Sequence, residues 1–243
     1  MLLNKKFDLI FGIGEACSCS QALRKCRLQY SSYPFDWLFG SDILTRVKIF
    51  TNDYKGFIDL EDLEDFGQTN KDEAHLCEIY YNKKNNIRFN HDFPYGKPLQ
   101  ESHPKVKEKY DRRAARQFKQ IEQSKKVLAV YVQIPNNRQE VEDKTLIEVR
   151  NLIQKRFPEQ EITLLYLYCN HENKDFKLKE IAEGVVKAEF DYDAYNKDFP
   201  FEVNGKALRK LFCKLKISTK FMDSKNLLRR IVFVIKCFFR GML

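Results

Sequence analysis

The stretch from residue 127 to 168 constrains the fold most. Two nearly unbroken apolar runs, 127–134 and 162–168, flank a segment, 140–157, in which Leu146, Val149, Leu152 and Ile153 recur at helical spacing. A strand that is apolar on successive residues must be covered on both faces, the situation of parallel strands sandwiched by helices. Strand, helix, strand in this order predicts a βαβ unit. A further strand at 185–190 and a helix at 202–216 extend the pattern, so the fold class expected is α/β (or α+β) around a partly parallel sheet.

The N-terminal half carries a second strand-to-helix step, FDLIFGIGEACSCSQAL. The run 7–11 predicts a buried strand, Gly12 and Gly14 a turn, and 18–25 a helix. The segment YSSYPFDWLFG leads to a helix over 41–50, and the acidic DLEDLED (59–65) predicts a turn or short helix. Residues 79–81 and 87–89 predict a hairpin around Asn85 and Asn86. NHDFPYGKP follows as a loop, then a charged helix over 104–123.

Charge is distributed unevenly. The net +9 of the 243 residues arises from 205–243, where eleven Lys or Arg meet one acid, Asp223, leaving residues 1–204 close to neutral. The expected organisation is therefore one α/β unit over 1–204 and a basic helical segment over 205–243. That segment ends in NLLRRIVFVIKCFFRGML. On a helix Leu228, Ile231, Val232, Ile235, Phe238 and Phe239 share one broad face, flanked by Arg229, Arg230, Lys236 and Arg240. Either this face docks on the core, or residues 225–243 lie on an anionic membrane surface.

No apolar stretch approaches the roughly 20 residues that a membrane-spanning helix needs. The N-terminus lacks the pattern of a secretory leader, so a cytoplasmic location is expected, including the inner face of the membrane. No RNA-binding signature organises the basic residues, so nucleic acid is not expected as a partner. The seven cysteines (17, 19, 26, 77, 169, 213, 237) form no CxxC pair and no regular framework. Neither structural disulfides nor a metal site is expected from them.

Two features carry chemistry. A thiol in the first turn of a helix faces unpaired backbone N–H groups and the positive end of the helix dipole, which favour thiolate. The same N–H groups suit an oxyanion formed when sulfur attacks a carbonyl. Spacing alone also allows Cys17 and Cys19 to be small core residues. GIGEAC is an incomplete dinucleotide fingerprint, with Cys17 where the third glycine belongs. His75, His103 and His171 lack motif context, and Arg112, Arg113 and Arg116 suit a solvated helix face or an anion site.

Three motifs, Gly14 to Cys17, Ser32-Tyr33-Pro34-Phe35-Asp36-Trp37 and His91-Asp92-Phe93, stand in this order. Together they resemble a bacterial family of unknown function described as papain-like cysteine peptidases, closely over about the first 95 residues. The resemblance implies a papain-like or related three-layer fold and chemistry through an acyl-enzyme, with Cys17 as nucleophile and His91 as base. It makes Asp92 or Asp36 the group that orients the imidazole. Trp37, Ser18 and Cys19 are candidate cleft neighbours. The substrate implied is a peptide or an acylated small molecule or glycan, with no cofactor. A looser similarity, to acyltransferases of surface-polysaccharide synthesis, would add coenzyme A. A membrane-peripheral protein without catalysis is the remaining alternative.

Overall fold

A computed structural model describes residues 2–72, 75–134, 139–191 and 205–241. Its centre is a five-stranded sheet in the order β2-β7-β8-β10-β9, formed by β2 (Leu9–Gly12), β7 (Lys126–Val132), β8 (Glu161–Cys169), β10 (Val185–Phe190) and β9 (Lys177–Ala182). The first four strands are mutually parallel, and β9 closes one edge antiparallel. The parallel strands are almost wholly buried, as their continuous apolar runs require. The protein is thus α/β with a largely parallel sheet.

Helices cover both faces of the sheet. On one side, α2 (Ile43–Thr51), α3 (Leu99–Glu122) and α4 (Asp143–Arg156) enclose an aromatic core that includes Phe11, Phe50, Phe57, Phe89 and Phe93. On the other, α1 (Cys17–Lys25) and α5 (Gly205–Lys214) bury Leu23, Leu208, Leu211 and Phe212 against Leu128, Val130 and Leu165. A two-residue strand β11 (Lys216–Ile217) pairs in parallel with β1 (Lys6–Phe7). Residues 205–217 pack on the sheet, and α6 (Ser224–Phe239) follows, with Arg230 and Cys237 buried. Residues 202–204 of the predicted helix lie outside the described residues.

A second sheet, antiparallel, is inserted between β2 and β7. Its order is β3 (Leu38–Gly40), β6 (Ile87–Pro94), β5 (His75–Asn82) and β4 (Leu63–Asp72). The turn or short helix expected over 59–65 is a 3-10 helix at Leu60–Asp62, after which the chain enters β4. One expectation is corrected here. The loop expected at NHDFP is strand, because Glu78 and Cys77 of β5 continue to pair with Phe93 and Pro94. The pairing is irregular. Tyr80 faces Phe89 and Glu78 faces Phe93, so β6 carries two extra residues between those pairs, and the bulge holds Asn90, His91 and Asp92.

A disulfide joins Cys213 of α5 to Cys237 of α6, with Cα atoms 6.5 Å apart. Sequence spacing gave no sign of it, since nothing in residues 213–237 shows that two helices turn back on each other.

Candidate functional site

The glycines after β2 are explained by packing. A Cβ on Gly14 would lie 2.7 Å from Cys19 Cβ and 3.2 Å from the Val132 nitrogen; one on Gly12 would lie 3.0 Å from Cys19 Sγ. Cys19 is buried, its Sγ 3.5 Å from the Val130 carbonyl, and burial pushes its thiol up to about 12. Helix α1 is thus pressed onto the sheet through Cys19, which is a core residue and no nucleophile. Ser18 is buried as well.

Cys17 is the first residue of α1, preceded by Ala16 in extended conformation, and its side chain is only partly buried. The entrance is held firmly. Ile13 N donates to Val130 O (2.8 Å), Ile134 N to Glu15 Oε2 (2.7 Å) and Gly40 N to Glu15 O (3.2 Å). The buried Arg46 guanidinium donates to the carbonyls of Glu15, Leu38 and Gly40 at 3.2, 3.2 and 2.6 Å, tying the entrance to β3. Desolvation raises the Cys17 thiol above its ordinary value, and the backbone N–H groups of Cys17 and Ser18, which point at the sulfur, offset this only in part. The expected resting thiolate is therefore corrected. The helix entrance is present, but water is too scarce for it to prevail.

Asp36 is fully buried and committed elsewhere. Its carboxylate accepts from Gln29 Nε2 (2.8 and 2.9 Å), Arg24 (3.0 Å) and Tyr33 N (3.0 Å), and Gln29 Oε1 in turn accepts from Gly12 N (3.2 Å). This chain fixes Pro34–Trp37 beside β2. Burial holds the Asp36 carboxyl above the usual range, with Arg24 and Gln29 opposing. Ser20 Oγ donates to the Asp36 carbonyl (2.7 Å) and lies 3.1 Å from that of Cys17, so one turn of α1 links the thiol-bearing residue to this segment. Trp37 has the Arg24 guanidinium over its ring at 5.8 Å and meets the His91 ring edge to face, centroids 6.4 Å apart. Arg24 and His91 both border Trp37, and Cys17 lies two turns before Arg24 on the same face of α1.

The bulge in β6 separates His91 from its neighbour. Asp92 turns to α3, where Lys109 Nζ (2.5 Å) and Tyr110 Oη (2.8 Å) take its two oxygens. Its orienting role is corrected on that ground, and that of Asp36 because its oxygens are held by Gln29, Arg24 and Tyr33. Among the described residues Asn70 of β4 meets the His91 ring, its Nδ2 2.9 Å from His91 Nδ1 and 2.9 Å from the Asn90 carbonyl, reaching across β5. Nothing in the sequence marks Asn70, because it sits between the 59–65 segment and the predicted hairpin, where no element is expected, and precedes the histidine.

A second cluster lies at the carboxyl ends of β8 and β10, the edge of a parallel sheet where ligands usually bind. Cys169 Sγ, an imidazole nitrogen of His171 and a carboxylate oxygen of Asp191 are within 4.8 Å of one another. His171 Nδ1 and Asp191 Oδ1 are 2.8 Å apart. Thiol, imidazole and carboxylate are also three donors of the kind zinc accepts. Of the remaining histidine and arginine candidates, His103 Nε2 meets the Ile58 carbonyl at 2.7 Å, Arg112 pairs with Glu108 on the surface, Arg113 lies over the Tyr110 ring and Arg116 donates to Ser32 O. The side chain of His75 lies outside the described residues.

The fold is that of a three-layer α/β protein, with a thiol at a helix entrance and, on the second sheet, an imidazole that meets an amide. The chain belongs to the family described as "Putative papain-like cysteine peptidase", which matches residues 8–172. Cys17, Asn70, His91 and His171 fall inside the matched span, and Asp191 falls beyond it. Over 205 residues the chain is 25% identical to the uncharacterized protein R408 of Acanthamoeba polyphaga mimivirus, a match covering 77% of this chain and 91% of that one. The relative is viral, so the bacterial origin implied by the motifs is not carried forward. No solved structure matches the chain.

Proposed function

We propose that the chain is a cysteine hydrolase that works through an acyl-enzyme, with Cys17 as nucleophile and His91 as proton carrier. The observation that carries this reading is the amide-held imidazole of His91, which borders the same Trp37 segment as the first turn of α1. Because burial keeps the Cys17 thiol protonated, a base must take its proton as the sulfur attacks. His91 is the group that takes this proton, and Asn70 Nδ2, which also donates to the Asn90 carbonyl, holds the plane of the ring through the 2.9 Å contact at Nδ1. Sulfur bonds to the carbonyl carbon, the first N–H groups of α1 stabilise the oxyanion, and His91 returns the proton to the leaving group. Water then releases the acid and restores the thiol. Peptides and acylated small molecules or glycans are the substrates this chemistry suits. With coenzyme A as acyl carrier the same steps give an acyltransferase.

The Cys169, His171 and Asp191 cluster supports a second reading, because there an imidazole with a carboxylate at 2.8 Å stands close to a thiol. Incubation with p-nitrophenyl acetate followed by peptide mapping separates the two. An acetyl group on Cys17, absent in Cys17→Ala and retained in Cys169→Ala, supports the first. Acetylation confined to Cys169 and lost in His171→Ala supports the second. No acyl-enzyme at either cysteine overturns both.

A further inference from the structure

Helix α6 docks the wrong way round for a core element. Among the described residues, the large apolar side chains left exposed are Leu60, Leu76, Tyr95 and six residues of this one helix. Leu228 is 62% exposed, Phe238 68% and Phe239 81%, with Ile231, Val232 and Ile235 beside them. The inner face is instead polar at its centre. Arg230 is buried and donates to the carbonyls of Cys26 and Leu215, both at 2.8 Å, while Cys237 is bonded to Cys213 and Phe233 is partly buried against the body. This corrects the expectation that Arg230 belongs to the outer basic flank.

At about 100° per residue the helix divides into three sectors. The docked strip runs through Arg230, Phe233 and Cys237. The six exposed apolar residues fill roughly a third of the circumference. Lys225, Arg229, Lys236 and Arg240 form a stripe along one border of the apolar sector; all four are exposed, and no carboxylate pairs with them among the described residues. Beside the helix a hollow of about 470 Å³ is lined by Ile217, Leu227, Ile231, Val234 and Ile235. No helix among the described residues is long and apolar enough to cross a membrane.

We propose that α6 is a docking surface for an anionic lipid bilayer and lies in the plane of the interface. Its apolar sector would enter the boundary between headgroups and acyl chains, and its basic stripe would meet lipid phosphate and carboxylate groups. Charge selects this occupant over a second copy of the chain, because two copies meeting through this face would bring their unpaired basic stripes together with no acid to neutralise them. The docked strip, held by Arg230 and the disulfide, fixes the body on the aqueous side of that plane.

The test is flotation of the full chain with phosphatidylcholine vesicles that contain phosphatidylserine, against vesicles of phosphatidylcholine alone. The full chain floats with the anionic vesicles, and recovery falls more than about tenfold on neutral ones. The double variant Ile235→Glu/Phe238→Glu changes only exposed positions, keeps the circular dichroism of the parent and loses flotation by a similar factor. Failure of the full chain to float with anionic vesicles overturns the proposal, as does equal flotation of the variant. A solution dimer that the same variant dissociates would place a second copy on the face and overturn it as well.

Discussion

If the glycines after β2 exist to let Cys19 into the core, alanine at each should cost stability in two different ways. At Gly12 the added methyl meets chiefly the Cys19 sulfur, at 3.0 Å, while Leu23 Cδ1 and Cys19 Cβ lie at 3.6 and 3.8 Å. Overpacking of this kind costs about 1–3 kcal/mol, and Cys19→Ala alone leaves a small cavity costing about 1–2 kcal/mol. The double variant Gly12→Ala/Cys19→Ala removes the close contact and part-fills the cavity, so a favourable coupling of about 1 kcal/mol or more is expected. At Gly14 the methyl meets Cys19 Cβ at 2.7 Å and the Val132 backbone nitrogen at 3.2 Å, atoms that no rotamer change can move. Gly14→Ala should therefore cost near 3 kcal/mol, and Cys19→Ala should not rescue it. Urea unfolding measures all five variants, and for a chain of this size each kcal/mol corresponds to about 2–4 °C in Tm. If both glycine variants fall within about 0.5 kcal/mol of the parent, the packing account of this turn is wrong.

Two further predictions concern titratable groups. Asp92→Ala strands the Lys109 ammonium and the Tyr110 hydroxyl, and should cost about 3 kcal/mol in urea unfolding, the low end for a buried pair because Lys109 is partly exposed. Cys17 acylation in that variant should persist; its loss would return Asp92 to the site. The raised Cys17 thiol predicts that iodoacetamide labelling of this residue keeps rising beyond pH 9, the ordinary value being 9.0. Since the folded value is above the unfolded one, the stability that goes with the neutral thiol is complete below pH 9 and lost as pH climbs through the folded value. A labelling plateau already reached near pH 7 would show a resting thiolate instead.

The fold was legible where local pattern and tertiary role coincide. The runs at 127–134 and 162–168 fit strands covered on both sides, and the structure has them as β7 and β8. The site was legible in part. GIGEAC announces a strand, a turn and a helix, but the sequence cannot say that the Cys17 entrance is too dry for its dipole to prevail. The His91-Asp92-Phe93 segment looked like loop because its inward and outward positions do not alternate. The cause is a bulge, which depends on how β5 pairs and leaves no local mark. Asn70 was invisible for the same reason, since it reaches His91 from a strand two places away in the sheet. In α6 the amphipathic pattern was correct, yet which side faces the body rests on Arg230 finding two carbonyls and on a cysteine on another helix.

The most direct test compares the rate at which Cys17 is acetylated by p-nitrophenyl acetate in the parent, His91→Ala and Asn70→Ala, with folding checked by circular dichroism. Proton transfer by a positioned imidazole accounts for about 100-fold or more, so His91→Ala should lose at least that factor and Asn70→Ala a smaller one. A His91→Ala rate within about twofold of the parent would show that this imidazole does not serve the Cys17 sulfur.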